Sequence, residues 1–239
     1  MLSEIDSTNT YALDAVHAGK MYHGEVVQAM QQSAGRGQRQ NTWQSSAGKD
    51  LLMSLVLQPL AYTAESIFLL NMCVSLAIRK VVAAYCDEAH IKWSNDIYHQ
   101  HKKIAGILIE NVWRGESWLY AIVGIGLNIF SEHKHNSQIN ACSMAECTKL
   151  ELVLEPIREA ILTELNKYLE ICAQEPNAIV TAYNSHLYQV NCAAKFASAN
   201  GYDMYTIKGV DKSGKIILER DGVCAAFAYG EVKQVVVSA

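Results

Sequence analysis

Prolines are scarce, three in 239 residues, and no repetitive or low-complexity stretch is present. That excludes a solenoid or a Pro-rich spacer between distant modules. No apolar run reaches the about 20 residues of a membrane span. The longest, Ile67–Ile78, is interrupted by Asn71 and Ser75. The N-terminal MLSEIDSTN has no basic start and no apolar stretch, so no secretory peptide is visible. Charge of one sign is not in excess either. Twenty Lys and Arg against 24 Asp and Glu leave −4, which argues against nucleic acid held by bulk charge, a local basic patch aside. Seven cysteines occur without a C-x-x-C pair, the pattern of free, mostly buried thiols in a reducing cytoplasm. The pairs His99/His101 and His133/His135 lack cysteine partners at zinc-finger spacing and read as loop histidines.

What remains is globular: half the residues are hydrophobic and 18% charged. The length suits one main domain and a small second one. Asp6, Ser7 and Thr8 offer caps for a helix carrying Tyr11, Ala12, Ala15 and Val16, stopped at Gly19. Thr63 and Glu65 open a second, with Ile67, Leu70, Val74, Ile78, Val81 and Tyr85 on one stripe. Pro156 suits the first turn of a third, whose stripe is Ile157, Ala160, Ile161, Leu165, Tyr168 and Cys172. Thr181–Tyr188 adds a short fourth. Strands are expected at Glu25–Met30, Leu51–Leu57, Ile104–Asn111 and Trp118–Ile129, with hairpin tips at Tyr98–Lys103 and Arg114–Glu116. The unbroken apolar run Ile104–Ile109 places its strand near a sheet centre, covered on both faces. The fold class is α+β: a mixed β-sheet with packed helices. After Val190 short strands alternate with Asn200-Gly201, Ser213-Gly214 and Asp221-Gly222 turns, a small C-terminal β-barrel. The expected division is 1–189 and 190–239.

Three motif matches fail. Gly209–Lys215 resembles a P-loop, but Ile216 follows where Ser or Thr is needed and a strand replaces the helix. Gly124-Ile125-Gly126 lacks a third glycine, and Gly115-Glu116-Ser117 lacks the closing glycine of a hydrolase elbow. The segment Gln31–Trp43 is different, with two glycines and two arginines between strands and almost no apolar surface. Glycines let a backbone approach a ligand and turn N–H groups to an anion, and arginines add forked donors. Anion binding is the expectation. Ser7-Thr8-Asn9, Lys92–Asp96 and Lys103 are further polar islands, each open to a plain reading as cap, turn or snorkelling edge lysine.

Taken in order, Ser7-Thr8-Asn9, Gln32–Gly37 (QSAGRG), Lys92–Asp96 (KWSND), Lys103–Leu108 (KIAGIL) and Gly124–Asn128 (GIGLN) resemble the biotin protein ligase family. The resemblance runs over nearly the whole chain. It departs at Ser94, where proline is usual, and at Gln38, where some members carry a third arginine. Gln40 stands where glycine is frequent, and Asn41 and Thr42 are less basic than in the most cationic versions. The N-terminal DNA-binding domain of repressor members is not expected here.

The resemblance implies a class II aminoacyl-tRNA-synthetase-like catalytic domain with an SH3-like C-terminal barrel. Its reaction makes biotinyl-5′-AMP from biotin and ATP with Mg²⁺, then passes biotin to a lysine of a biotin carboxyl carrier protein. Lys103, Arg39 and Asp96 are the implied catalytic residues. Asp96 either orients the attacking lysine or holds a metal. Ser7, Thr8, Asn9, Gln32, Gly35, Arg36, Gly37, Gln38, Lys103, Gly106 and Gly124 are implied for biotin, with Gly106 and Gly124 making room for its rings and chain. Arg39, Trp43, Lys92, Asn95 and Asn128 are implied for ATP, and Phe130–Cys142 as the loop over the adenylate. The expected setting is cytoplasmic, without nucleic acid or membrane; a homodimer stays open. A lipoate or octanoate transferring relative and a silent biotin-binding protein are the alternatives.

Overall fold

The computed structural model describes residues 1–39, 41–58, 67–132 and 140–236. In chain order, β1 (Leu2–Ile5), α1 (Thr8–His17), β2 (Val26–Gln32), β3 (Leu51–Leu57) and α2 (Ile67–Ala83) come first. The hairpins β4 (Ala89–Lys92), β5 (Asp96–His99), β6 (Lys102–Arg114) and β7 (Ser117–Leu127) follow. Then come α3 (Met144–Cys147), α4 (Leu154–Gln174) and α5 (Pro176–Ser185). The chain closes with β8 (Ala193–Ser198), β9 (Gly201–Val210), β10 (Ile216–Arg220), β11 (Val223–Phe227) and β12 (Val232–Val235).

Seven strands form one sheet, ordered β1-β2-β3-β7-β6-β5-β4. Only β1–β2 is parallel, which makes the sheet mixed. All seven residues of β3 are buried. A strand apolar on both faces needs cover on both, and helices supply it. The long face carries α2, α4 and α5, whose buried stripes include Leu70, Val74 and Ile78, then Ile157, Ile161 and Leu165, then Ile179 and Tyr183. On the other face α1 packs Ala12 against Val27, Val56 and Ile122. Ile104–Ile107 lies fully buried in β6, between β7 and β5.

The second sheet is ordered β11-β10-β9-β8-β12. Among the described residues β11 and β12 are its edges, so no closed barrel is formed. Its Phe196, Ile207, Ile216 and Leu218 belong to the same hydrophobic core as α2 and α5. The Trp93 indole N–H donates to the Gly214 carbonyl at 2.9 Å, and its ring meets Tyr229 edge-on. The failed P-loop is the β9–β10 turn.

Some local expectations change. The fourth helix runs Pro176–Ser185, not Thr181–Tyr188, because Pro176 occupies its first turn, where a missing N–H costs nothing. Tyr85 lies past the end of α2, and Thr63 and Glu65 lie outside the described residues. Ser7 is the α1 N-cap residue without a side-chain cap bond. The orphan Thr8 N–H is taken at 2.7 Å by Gln32 Oε1 at the end of β2. A side chain from a neighbouring strand does the work of a local cap.

Candidate functional site

The floor of the site is the β6–β7 pair, where Gly106 faces Gly126 and Leu108 faces Gly124. Each missing side chain leaves room that something else fills. A Cβ on Gly126 would meet the Trp43 indole at 2.5 Å, and one on Gly106 would meet Trp43 at 2.8 Å and Lys103 Nζ at 3.0 Å. A Cβ on Gly124 would overlap the Asn9 carboxamide. Gly106 and Gly124 both line the cavity, and Trp43, Lys103 and Asn9 lie close over them and line it too.

At one end of this cavity, Ser7, Thr8, Asn9 and Gln32 converge over Ile107, Leu108 and Ile125. Thr8 Oγ1 donates to Gln32 Oε1 at 3.1 Å. Ser54, fully buried in β3, sits 2.8 Å from Thr8 Oγ1 and 2.6 Å from Asn9 Oδ1, and its one proton serves either. Asn9 Nδ2 donates to the Leu108 carbonyl at 3.2 Å and Glu110 Oε2 at 2.9 Å. The other oxygen of Glu110 binds Arg36 at 2.8 Å. One carboxylate thus ties the α1 terminus to the glycine-rich loop.

That loop doubles back on itself. Arg36 bridges Thr42, Gly37 N–H donates to the Asn41 carbonyl at 2.8 Å and Trp43 N–H to the Gly35 carbonyl at 2.9 Å. Gly35 is required here, since its Cβ would stand 2.5 Å from the Trp43 carbonyl oxygen. Arg39, with a positive φ of 59°, stacks its guanidinium 5.0 Å from the Tyr229 ring centre, against Gly230.

Beyond Trp43 lies a second, wider cleft between the two sheets. Arg39, Lys92, Lys103 and Lys233 line it with one carboxylate, Asp96. Lys103 Nζ pairs with Asp96 at 2.6 Å and lies 5.5 Å from the centre of the Trp43 ring. Burial holds the Lys92 ammonium below the ordinary lysine range, with Lys103 and Lys233 adding repulsion and Asp96 opposing it. A cleft that strains its cations this way favours an anion. Gly37, Gln38, Trp43, Asn95 and Lys103 line both cavities. Asn95, buried in the β4–β5 turn, donates to the Ile107 carbonyl at 2.5 Å.

Asn128 and Gly35 line neither cavity. Asn128 Nδ2 is held by the Cys142 carbonyl at 3.1 Å, while its buried Oδ1 has no partner among the described residues. Buried Asp50 accepts from Ile129 N–H at 2.9 Å and from the Ser131 hydroxyl, fixing the chain just after Asn128. Of the expected adenylate loop, residues 133–139 lie outside the described residues. Glu110, Ser54, Asp50, Tyr229 and Lys233 were not foreseen. A lone serine inside the otherwise apolar β3 was the one visible signal.

Asp96 is the one carboxylate in the cationic cleft and is engaged by Lys103. Among the described residues no three His, Cys, Asp or Glu side chains converge on a metal position. The donors present do not fit a protein-built Mg²⁺ cage. The arrangement suits a ligand neutral and hydrogen-bonding at one end, apolar in the middle and acidic where it meets a polyanion at Lys103.

Comparison with known proteins gives this geometry a lineage. The "Bifunctional ligase/repressor BirA" of Escherichia coli is 29% identical over 238 residues, covering 97% of this chain and 72% of that protein. The "Biotin--[acetyl-CoA-carboxylase] ligase" of Mycobacterium tuberculosis is 24% identical, covering 97% and 87%. The solved biotin protein ligase of Aquifex aeolicus in complex with biotin and ATP superposes with a TM-score of 0.82 over 99% of this chain and 97% of that one, at 20% identity. The family description "Biotin/lipoate A/B protein ligase family" matches residues 2–128, which hold every motif from Ser7 to Asn128. With more than half its length inside that match, the chain belongs to the biotin/lipoate A/B protein ligase family.

Proposed function

We propose that the chain activates biotin with ATP as biotinyl-5′-AMP, releasing pyrophosphate, and then transfers biotin to a carrier lysine. The observation that carries this reading is the junction at Lys103. A hydrogen-bonding, apolar-floored cavity and a cleft of four cations meet there, as joining a carboxylate to a nucleotide demands. The Mycobacterium tuberculosis relative is named a biotin ligase, the Escherichia coli one a bifunctional ligase/repressor, and the Aquifex aeolicus biotin protein ligase holds biotin and ATP together.

In this reading Ser7, Thr8 and Gln32 take the ureido end of biotin, Asn9 braces them, and Arg36 and Gln38 face its acidic end. Lys103 offsets charge as the carboxylate attacks the α-phosphate, and Asp96 holds its ammonium in place. Arg39, Lys92, Trp43 and Asn95 serve the nucleotide. Asn128 is assigned to the nucleotide side, where it acts from behind the cleft wall by holding the Cys142 carbonyl. Mg²⁺ comes as the ion carried by ATP, bound mainly by phosphate and water. The carrier is a biotin carboxyl carrier protein, in line with the name of the Mycobacterium tuberculosis relative. The −4 charge gives no bulk attraction to nucleic acid. No described helix is long and apolar enough to cross a membrane, and seven cysteines outside any disulfide suit a reducing cytoplasm. Residues 1–189 are read as the synthetase-like catalytic domain. The five-stranded sheet within 190–239 is read as an SH3-like module left open between its edge strands β11 and β12.

ATP–pyrophosphate exchange, run with biotin and separately with lipoate, tests the first step. Intact mass of a carrier domain tests the second. Exchange driven by lipoate and not by biotin would assign the chain to the other branch of its family.

A further inference from the structure

Outside the cavities, three thiols meet behind the strand that carries Lys103. Cys142 is buried and Cys147 partly exposed, with their sulfurs 3.8 Å apart. Cys86, also buried, adjoins Cys147. Cys147 donates to the Ser143 carbonyl at 3.2 Å while protonated. The neighbouring thiols Cys142 and Cys86 donate to its ionised form and hold it below the ordinary thiol range, with His99 and Lys102 helping. Hydrogen bonding to that sulfur, and then burial, push Cys142 above it. An accessible sulfur that ionises readily, beside a buried protonated one, is the attacking and resolving arrangement of a redox pair.

The buried partner belongs to the backbone that holds the site. Cys142 N–H donates to the Lys103 carbonyl at 3.0 Å, and Lys103 N–H to the Asn140 carbonyl at 2.9 Å. The Cys142 carbonyl accepts from Asn128 Nδ2 at 3.1 Å, and Met144 N–H donates to the Asn128 carbonyl at 3.0 Å. A disulfide needs its sulfurs about 2.05 Å apart. Closing the 3.8 Å gap draws the two sulfurs together by side-chain rotation and backbone shift. Ser143 and Glu146 brace the short helix between them with a capping box, so the backbone share of that movement passes to the rung on Lys103 and Asn128.

We propose that Cys147 and Cys142 form a thiol–disulfide pair, oxidised by low-molecular-weight disulfides such as glutathione disulfide, and that the bond slows adenylation by displacing the backbone rung of Lys103 and Asn128. The Cys147 thiolate attacks one glutathione sulfur, the S–S bond breaks, and the departing thiolate takes a proton. Cys142 then loses its proton and attacks Cys147 Sγ, expelling the second glutathione as thiol. Two protein thiols become one disulfide, and one glutathione disulfide becomes two thiols. The activity arm rests on the ligase reading; the covalent arm does not.

The test treats the full chain with glutathione disulfide, maps non-reduced peptides by mass spectrometry, and follows biotin-dependent pyrophosphate exchange before and after dithiothreitol. A Cys142–Cys147 cross-link is expected, with exchange lowered between about tenfold and a hundredfold, the scale of an ångström's misplacement at a reacting group. Dithiothreitol should restore it, and Cys147→Ser and Cys147→Ala should be insensitive to the oxidant. A Cys86–Cys147 cross-link, a stable glutathione adduct on Cys147 with Cys142 still alkylatable, or a cross-link with unchanged exchange would each overturn the proposal. Absence of exchange in the reduced chain would count against the ligase reading, and the peptide map would then decide the pair by itself.

Discussion

Lys103 and Asp96 meet at 2.6 Å, 24% and 20% exposed, across adjacent strands of one hairpin. An irregularity lies beside the pair. The β5–β6 register shifts between Ile97 and Tyr98, so that Asp96 faces Gly106 while Tyr98 faces Lys103. Such a bulge re-aims side chains, and the ammonium turns back over Gly106 toward the Trp43 ring. A cation already held by a fixed carboxylate needs little reorganisation when negative charge gathers beside it. Lys103→Ala should depress kcat for biotin-dependent exchange by on the order of a hundredfold, as loss of one preorganised donor does, with KM for biotin changing far less. Steady-state kinetics check this. A normal kcat with a raised KM would move Lys103 to ligand capture.

Glu110 binds Asn9 with one oxygen and Arg36 with the other. The Arg36 pair is partly open to solvent, so its ionic share is small. What Glu110 adds is a shared fixing point for two segments that line one cavity. Glu110→Ala should weaken biotin binding about tenfold, equivalent to ~1.4 kcal/mol. Glu110→Gln keeps an acceptor for Asn9 and should fall between. Isothermal titration with biotin measures both, and unchanged affinity in the alanine variant would show that the tether is idle.

Much of this site was legible because its chemistry sits in unusual local company. Lys103 opens an apolar strand, the loop around Arg36 holds almost no apolar residue, and Asn95 and Asp96 interrupt two short strands. Its unread parts depend on contacts distant in sequence. Glu110 resembles any carboxylate on a partly exposed strand until Asn9, 101 residues away, is found against it. Nothing local foretells that Arg39 stacks on Tyr229, which comes from the segment between β11 and β12. Nor does a sequence say that the Asn9 carboxamide lies against Gly124. In the fold, β3 matched its expected bounds since it is apolar but for Ser54, whereas α5 begins earlier than its expected Thr181 because Pro176 opens it and Ile179 is already buried in it.

Gly124→Ala isolates that last point. The added methyl overlaps the Asn9 carboxamide, which is held by Leu108, Glu110 and Ser54 and has no free direction to yield. Overpacking of this kind costs about 1–3 kcal/mol. The melting temperature should fall, and biotin affinity should fall with it as Asn9 is displaced. Thermal unfolding with and without biotin reads both effects. A variant as stable and as tightly bound as the parent would mean that the β6–β7 floor gives way at Gly124.

Gln38 lines both cavities, beside the position where a carboxylate and a phosphate would join. An amide there hydrogen-bonds but carries no charge, while a guanidinium would fork onto acidic oxygens. A sheltered charge-assisted bond contributes about 1.5–3 kcal/mol, and a solvent-screened one about 0–1 kcal/mol. Gln38 is partly buried, which places the gain between these limits, close to one decade. Gln38→Arg should therefore release biotinyl-5′-AMP about tenfold more slowly than the parent, since affinity differences within one site are expressed mainly in release. Trp43 borders both cavities and gives the optical signal. Stopped-flow fluorescence of preformed adenylate complexes, chased with excess biotin and ATP, compares the two rates. Equal or faster release from the arginine variant would mean that the side chain at position 38 turns away from the adenylate, or that the amide already makes an equivalent contact.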